Sequence, residues 1–154
     1  MSGNAPEIDL PQLPNARVAI ISSSWHLDIC NDLVAGAQRA LAAAAIKNVE
    51  VIYVPGSFEI PLASQIAFEN GFDAVVAVGL VLEGETPHFD YVCQGVTQGV
   101  MDVSLKFSSP IGFGVLMCNT LDQAIARSGR PGSSEDKGYD SAVAAIKLLQ
   151  LKEG

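Results

Sequence analysis

One stretch of the chain joins the residue types of a phosphate cradle to a titratable base: Gly84-Glu85-Thr86-Pro87-His88-Phe89-Asp90-Tyr91-Val92. Before it, Ala74 to Leu82 is an unbroken apolar run of the kind that forms a buried strand. After it, a helical pattern continues to about Lys106. Thr86 suits an N-cap and Pro87 the first helical position. A helix N-terminus offers free N–H groups and partial positive charge, so Gly84, Glu85 and Thr86 form a turn that suits a phosphate. His88 places an imidazole, a candidate proton-transfer group, within a turn of that anion site. An anion cradle beside a proton acceptor fits an enzyme acting on a small phosphorylated substrate.

These residues need a scaffold, and the rest of the chain supplies one. Strand-like runs at 18–21, 49–54, 74–82 and 111–118 alternate with helical patterns at 28–45, 62–70, 87–106, 120–129 and 140–151. Thr120-Leu121-Asp122-Gln123 has the form of a capping box. Alternation of this kind predicts an α/β fold: a three-layer αβα sandwich around a four-stranded parallel sheet. Such sheets bind ligands outside the carboxyl ends of their strands. Three turns are expected there: Ser22-Ser23-Ser24-Trp25-His26, Pro55-Gly56-Ser57-Phe58-Glu59-Ile60-Pro61, and the Gly84–His88 turn. Phe113 begins the fourth strand and Arg127 ends the helix after it. Both are therefore expected at the amino end of the sheet, where only a neighbouring subunit's site could use them.

Bulk composition narrows the function. A chain of 154 residues suits one domain, with residues 1–15 as a Pro- and Asn-rich extended arm and 16–154 as the domain. Hydrophobic residues make up 49% and charged residues 17%, against about 25% charged in a typical soluble domain. So few charges on a small domain imply that part of its surface is buried in a homo-oligomer. Gly95 and Gly99 on the third helix, with uncharged Gln94, Thr97 and Gln98, are expected to face such an interface. The net charge of −8 and the scattered basic residues exclude a nucleic-acid binder. Cys30, Cys93 and Cys118 occur singly and read as reduced core thiols of a cytoplasmic protein. No metal-ligand spacing is present. The first six residues lack the form of a secretory leader, and no apolar run is long enough to span a membrane.

Together these segments resemble the 6,7-dimethyl-8-ribityllumazine synthase family, with its flavodoxin-like fold. The matching stretches are Ser23-Ser24-Trp25-His26, the Val54 to Pro61 segment, the Gly84 to Val92 segment, Phe113-Gly114-Val115-Leu116, Gln123-Ala124 with Arg127 and Gly129, and Asp136-Lys137-Gly138. They cover nearly all of the chain beyond residue 15. The resemblance implies condensation of 5-amino-6-(D-ribitylamino)uracil with 3,4-dihydroxy-2-butanone 4-phosphate, without metal or redox cofactor. It implies that Trp25 stacks on the pyrimidine, that Ser57, Phe58 and Glu59 belong to the ribityl-binding segment, and that Val81 and Leu82 line the heterocycle. Gly84, Glu85 and Thr86 would hold phosphate and His88 would transfer protons. Phe113 and Arg127 would come from the adjacent subunit, and Lys137 would lie near the site. The implied partners are further copies of the chain and riboflavin synthase.

Family members form pentamers or icosahedral shells of twelve pentamers. The long segment from Ser128 to Gly138 resembles the pentameric members, so a homopentamer is expected. One departure stands out: Glu83 occupies a position where many members carry a basic residue. Glu83 and Glu85 beside a phosphate turn should weaken binding unless they point outward. A non-catalytic flavin- or lumazine-binding homologue is the alternative that Glu83 favours. Taken singly, His88 also reads as a surface histidine, Trp25 and Phe113 as packing residues, and Arg127 as a cation satisfying helix carbonyls.

Overall fold

The computed structural model describes residues 5–154. Burial along the strands sets the order of the sheet. β1 (Arg17–Ser23) is buried beyond its first residue, and β3 (Ala74–Leu82) is buried over its first seven. Strands covered on both faces belong in the middle. β2 (Asn48–Val54) exposes Asn48, Glu50 and Tyr53, and β4 (Ile111–Cys118) exposes Phe113; both are edges. All pairings are parallel and the order is β2-β1-β3-β4.

The two faces carry separate cores. On one, Ile20, Val76 and Val78 meet α1 (Leu27–Ala43) and α5 (Lys137–Glu153) through Leu33, Leu41 and Ile146. On the other, Ile21, Val75 and Ala77 meet α2 (Ile60–Glu69) and α3 (His88–Phe107) through Ile60, Phe68, Val96 and Val100. This is the three-layer α/β sandwich expected. A short α4 (Leu121–Arg127) follows β4, closed by the expected capping box: Gln123 N–H donates to Thr120 Oγ1 at 3.3 Å, and Gln123 Oε1 accepts from Thr120 N–H.

Helix starts differ from the sequence expectation in three places. α2 begins two residues early, behind a single 3-10 turn at Ser57–Glu59. α5 begins at Lys137 because the Asp136 carboxylate caps it, accepting from Tyr139 N–H while pairing with Arg39 at 2.9 Å. Thr86 does not cap α3. The chain turns at Pro87 instead, whose carbonyl accepts from Asp90 N–H at 3.0 Å, so His88 is the first helical residue.

Gly95 and Gly99, expected at a contact with another copy, make a close approach inside the chain. A Cβ on Gly95 would lie 2.5 Å from the Phe58 ring, and one on Gly99 would lie 2.7 Å from Pro61. Their missing side chains let the 3-10 turn and α2 dock on α3. Residues 5–13 form neither helix nor strand; Leu10 and Leu13 pack against the α1 face, and Leu13 N–H donates to Ala44 O at 2.8 Å. The first four residues of the expected arm lie outside the described residues. Among the described residues, no helix is long and apolar enough to cross a membrane.

Candidate active site

After β2 the chain returns past β1 to place β3 on its other side. The crevice at such a reversal, outside the carboxyl ends of the strands, is where open α/β sheets bind ligands. Gly79 of β3 makes room there. A Cβ on it would lie 2.7 Å from Ser23 Oγ and 2.9 Å from Ser57 Oγ, so both hydroxyls press against the β3 backbone. Ser23 Oγ lies 3.4 Å from Cys30 Sγ, which donates to the Trp25 carbonyl at 3.2 Å. Burial raises the Cys30 thiol above its ordinary range, against the opposing effect of hydrogen bonds from Ser23 and Ser22. Ser57 is only 6% exposed, and its Oγ has no hydrogen-bond partner among the described residues. A buried hydroxyl in that condition wants an acceptor or donor from elsewhere.

Trp25 and Glu59 flank the same crevice. Both the Trp25 indole and a Glu59 carboxylate oxygen come within 3.4 Å of a Cβ placed on Gly56. His26 holds the left-handed conformation (φ 52°, ψ 59°) directly before α1, and Trp25 is left 68% exposed. A non-glycine residue in that region is uncommon and strained, and such residues gather at functional sites. Phe58, seated over Gly95, is also largely exposed.

At the end of β3, Val81 and Leu82 are half-buried, and Gly84, Glu85, Thr86 and His88 are exposed. The turn is thus an open N-terminus of a 20-residue helix. Glu83 is directed elsewhere. Its N–H donates to Cys118 O at 2.9 Å and its carboxylate accepts a short hydrogen bond from Asn119 Nδ2. Asn119 N–H in turn donates to Gln123 Oε1 at 2.8 Å. The Glu83 charge is therefore tied to the α4 cap.

Phe113 and Arg127 are not together. Phe113 is the third residue of β4, paired with Ala77, five residues and roughly 16 Å of strand from Cys118. It lines an apolar groove of about 490 Å³ with Met101, Leu105, Leu148 and Leu151, away from the three turns. Arg127 departs from the expectation. α4 has seven residues and spans only about 10 Å, so it does not return the chain to the amino end of the sheet. The Arg127 charge is felt at Cys118, where it opposes the burial that raises that thiol. Arg127 Nη1 donates to Gln123 O at 2.9 Å, and its Nε lies 3.5 Å from Glu135 Oε2. Lys137 Nζ lies 3.0 Å from Glu135 Oε1 and 3.8 Å from Asp140, whose carboxyl is raised by burial against the pull of Lys137.

Glu135 and Arg130 escape the sequence reading, since no local pattern marks either. Arg130 grips Asp32 (2.8 Å from Nε, 2.7 Å from Nη2) and reaches Asp28 at 3.6 Å, which ties the loop after α4 to the first turns of α1.

Residues 15–153 match the sequence profile of 6,7-dimethyl-8-ribityllumazine synthase. A 6,7-dimethyl-8-ribityllumazine synthase of Streptomyces coelicolor is 50% identical over 147 residues, covering 95% of this chain and 91% of the relative. One from Pseudarthrobacter chlorophenolicus is 50% identical over 152 residues, covering 95% and 94%. One from a Mycobacterium species is 45% identical across the whole of this chain and 97% of its own. The chain belongs to the 6,7-dimethyl-8-ribityllumazine synthase family. Its sheet order and the resemblance in its turns agree with that membership.

Proposed function

We propose that this chain condenses 5-amino-6-(D-ribitylamino)uracil with 3,4-dihydroxy-2-butanone 4-phosphate to give 6,7-dimethyl-8-ribityllumazine. The uracil amine adds to the ketone and loses water to form an imine. Proton loss and breakage of a C–O bond then release inorganic phosphate. The ribitylamino nitrogen closes the ring on the remaining carbonyl with loss of a second water. Atoms and electrons balance without an oxidant. Most of the acceleration comes from holding two reactants in near-attack geometry.

The observation that carries this reading is the crevice at the carboxyl ends of β1, β2 and β3, built in a chain that matches the family over residues 15–153. Trp25 stacks on the pyrimidine. The Ser57 hydroxyl donates to or accepts from ribityl hydroxyls beside Phe58, the Glu59 carboxylate accepts from them, and Val81 and Leu82 line the ring. Gly84, Glu85 and Thr86 bind phosphate mainly through N–H groups at the α3 N-terminus. His88, one position into the helix, moves the protons. A single domain, 16–154, carries these parts, with 1–15 as an appended arm.

The site is completed by a neighbour in a homopentamer, which brings Phe113 as a second aromatic wall and Arg127 as a phosphate ligand, with Lys137 close by. Phe113 is stranded from its own subunit's crevice, and exposed Met101, Leu105, Leu148 and Leu151 around it supply apolar surface for a contact. The protein works in the cytoplasm and hands its product to riboflavin synthase. The test is a turnover assay with both substrates, followed by lumazine absorbance. Product formation well above the uncatalysed rate is expected; pyrimidine binding without turnover would instead identify a binding homologue.

A further inference from the structure

The Arg127–Glu135–Lys137 cluster has an unusual arrangement for a phosphate site. Each oxygen of one carboxylate faces a different cation: Oε2 lies 3.5 Å from Arg127 Nε, and Oε1 lies 3.0 Å from Lys137 Nζ. The Glu135 side chain is 17% exposed, and no aligned hydrogen bond reaches its buried Oε1, so Coulomb attraction alone meets that oxygen's charge. The backbone fixes this geometry. Glu135 N–H donates to Ala126 O at 3.0 Å, Gly129 N–H donates to Glu135 O at 3.1 Å, and Ser128 pairs with Asp136. Among the described residues, no hydrogen bond uses Arg127 Nη2; Nη1 donates to Gln123 O and Nε faces Glu135. Arg127 thus keeps its Nη2 donors for an anion while Glu135 offsets part of its charge.

We propose that Glu135 is a positioning residue that acts as a built-in rival to phosphate: it aims Arg127 and Lys137 and cancels part of their charge, so that inorganic phosphate leaves quickly once the reaction frees it. The inference rests on the reading of Arg127 as a phosphate ligand. Two cations without Glu135 would form a site of charge +2 for a dianion. With Glu135 the net charge is +1, and Asp140 beside Lys137 reduces it further. A partly exposed charge of this kind changes binding by about two- to fivefold.

The experiment measures inorganic phosphate binding by titration calorimetry on the assembled protein, and turnover with each substrate varied. Glu135→Gln keeps the shape and removes the charge. It should bind inorganic phosphate about two- to fivefold more tightly, lower the KM for the butanone phosphate, and show stronger inhibition by phosphate, with the pyrimidine KM unchanged. Glu135→Asp keeps the charge and should stay within about twofold of the parent protein. Equal or weaker phosphate binding by Glu135→Gln overturns the proposal, as does equal tightening in Glu135→Asp. Arg127→Ala separates the two readings. Unchanged phosphate affinity there removes the role of Arg127, and the proposal with it. Weakened affinity there without tightening in Glu135→Gln overturns the proposal alone.

Discussion

Replacing Ser57 by alanine should make the free protein more stable and the pyrimidine complex weaker. Ser57 is 6% exposed, and its hydroxyl has no partner among the described residues. Leaving a buried hydroxyl unpaired costs about 1–3 kcal/mol. Alanine removes that cost and leaves a gap of one oxygen atom beside Gly79, so the net gain should be about 1 kcal/mol. For a domain of this size that raises the melting temperature by about 2–4 °C. The same hydroxyl should contribute about 0.5–1.5 kcal/mol to holding the ribityl chain, so affinity for the ribitylaminouracil should fall about two- to tenfold. Ser64 provides the contrast, since its buried hydroxyl already donates to Ile60 O at 2.8 Å. Ser64→Ala should cost roughly 0.5–1.5 kcal/mol and leave binding alone. Thermal melts at fixed protein concentration and calorimetric titration with the pyrimidine read both effects. A Ser57→Ala protein destabilised by more than about 1 kcal/mol with unchanged affinity would refute the reasoning.

Other consequences follow from packing and from the thiols. Gly138→Ala would drive a methyl group into the Leu33 carbonyl, where α5 crosses α1, and should destabilise by more than about 2 kcal/mol in urea unfolding. Cys30, raised by burial, should resist thiol reagents at neutral pH until the protein unfolds. Because the unfolded chain ionises this thiol first, near 9.0, its contribution to stability is present below that pH and is lost as pH rises through the higher folded value. Melting curves from about pH 8 to about pH 10 should therefore decline less steeply for Cys30→Ala, with part of the slope retained by Cys93 and Cys118, which burial also raises. Sedimentation should give a pentamer, and a capsid-sized particle would contradict the reading of the Ser128–Gly138 segment.

The strands were legible because each holds a short apolar run, but their order was not, since edge strand β4 is as apolar as central β3. Ala74 to Leu82 could only be interior, and Phe113 could only be far from the carboxyl end of its strand. The capping box at Thr120 was legible because both partners are local. Thr86 was misread because a proline with ψ near 0° makes its own tight turn, and that geometry outweighs the preference of threonine for the cap. Gly95 and Gly99 mark a close approach correctly but do not say to what; the answer, Phe58 and Pro61, lies more than thirty residues away. Arg127 was misplaced because the helix was given more turns than it has. Glu135 leaves no trace in local sequence, since its significance depends on which cations the loop brings to it.

The central claim is that one active site is built from two chains. Mixing two impaired proteins, His88→Ala and Arg127→Ala, tests it most directly after joint unfolding and reassembly. In a random ring, a site needs its His88 from one chain and its Arg127 from the next, so about a quarter of sites should be intact and about a quarter of parental turnover should return. Turnover that stays at the level of the separate variants would place both residues in one chain's own site and contradict the account.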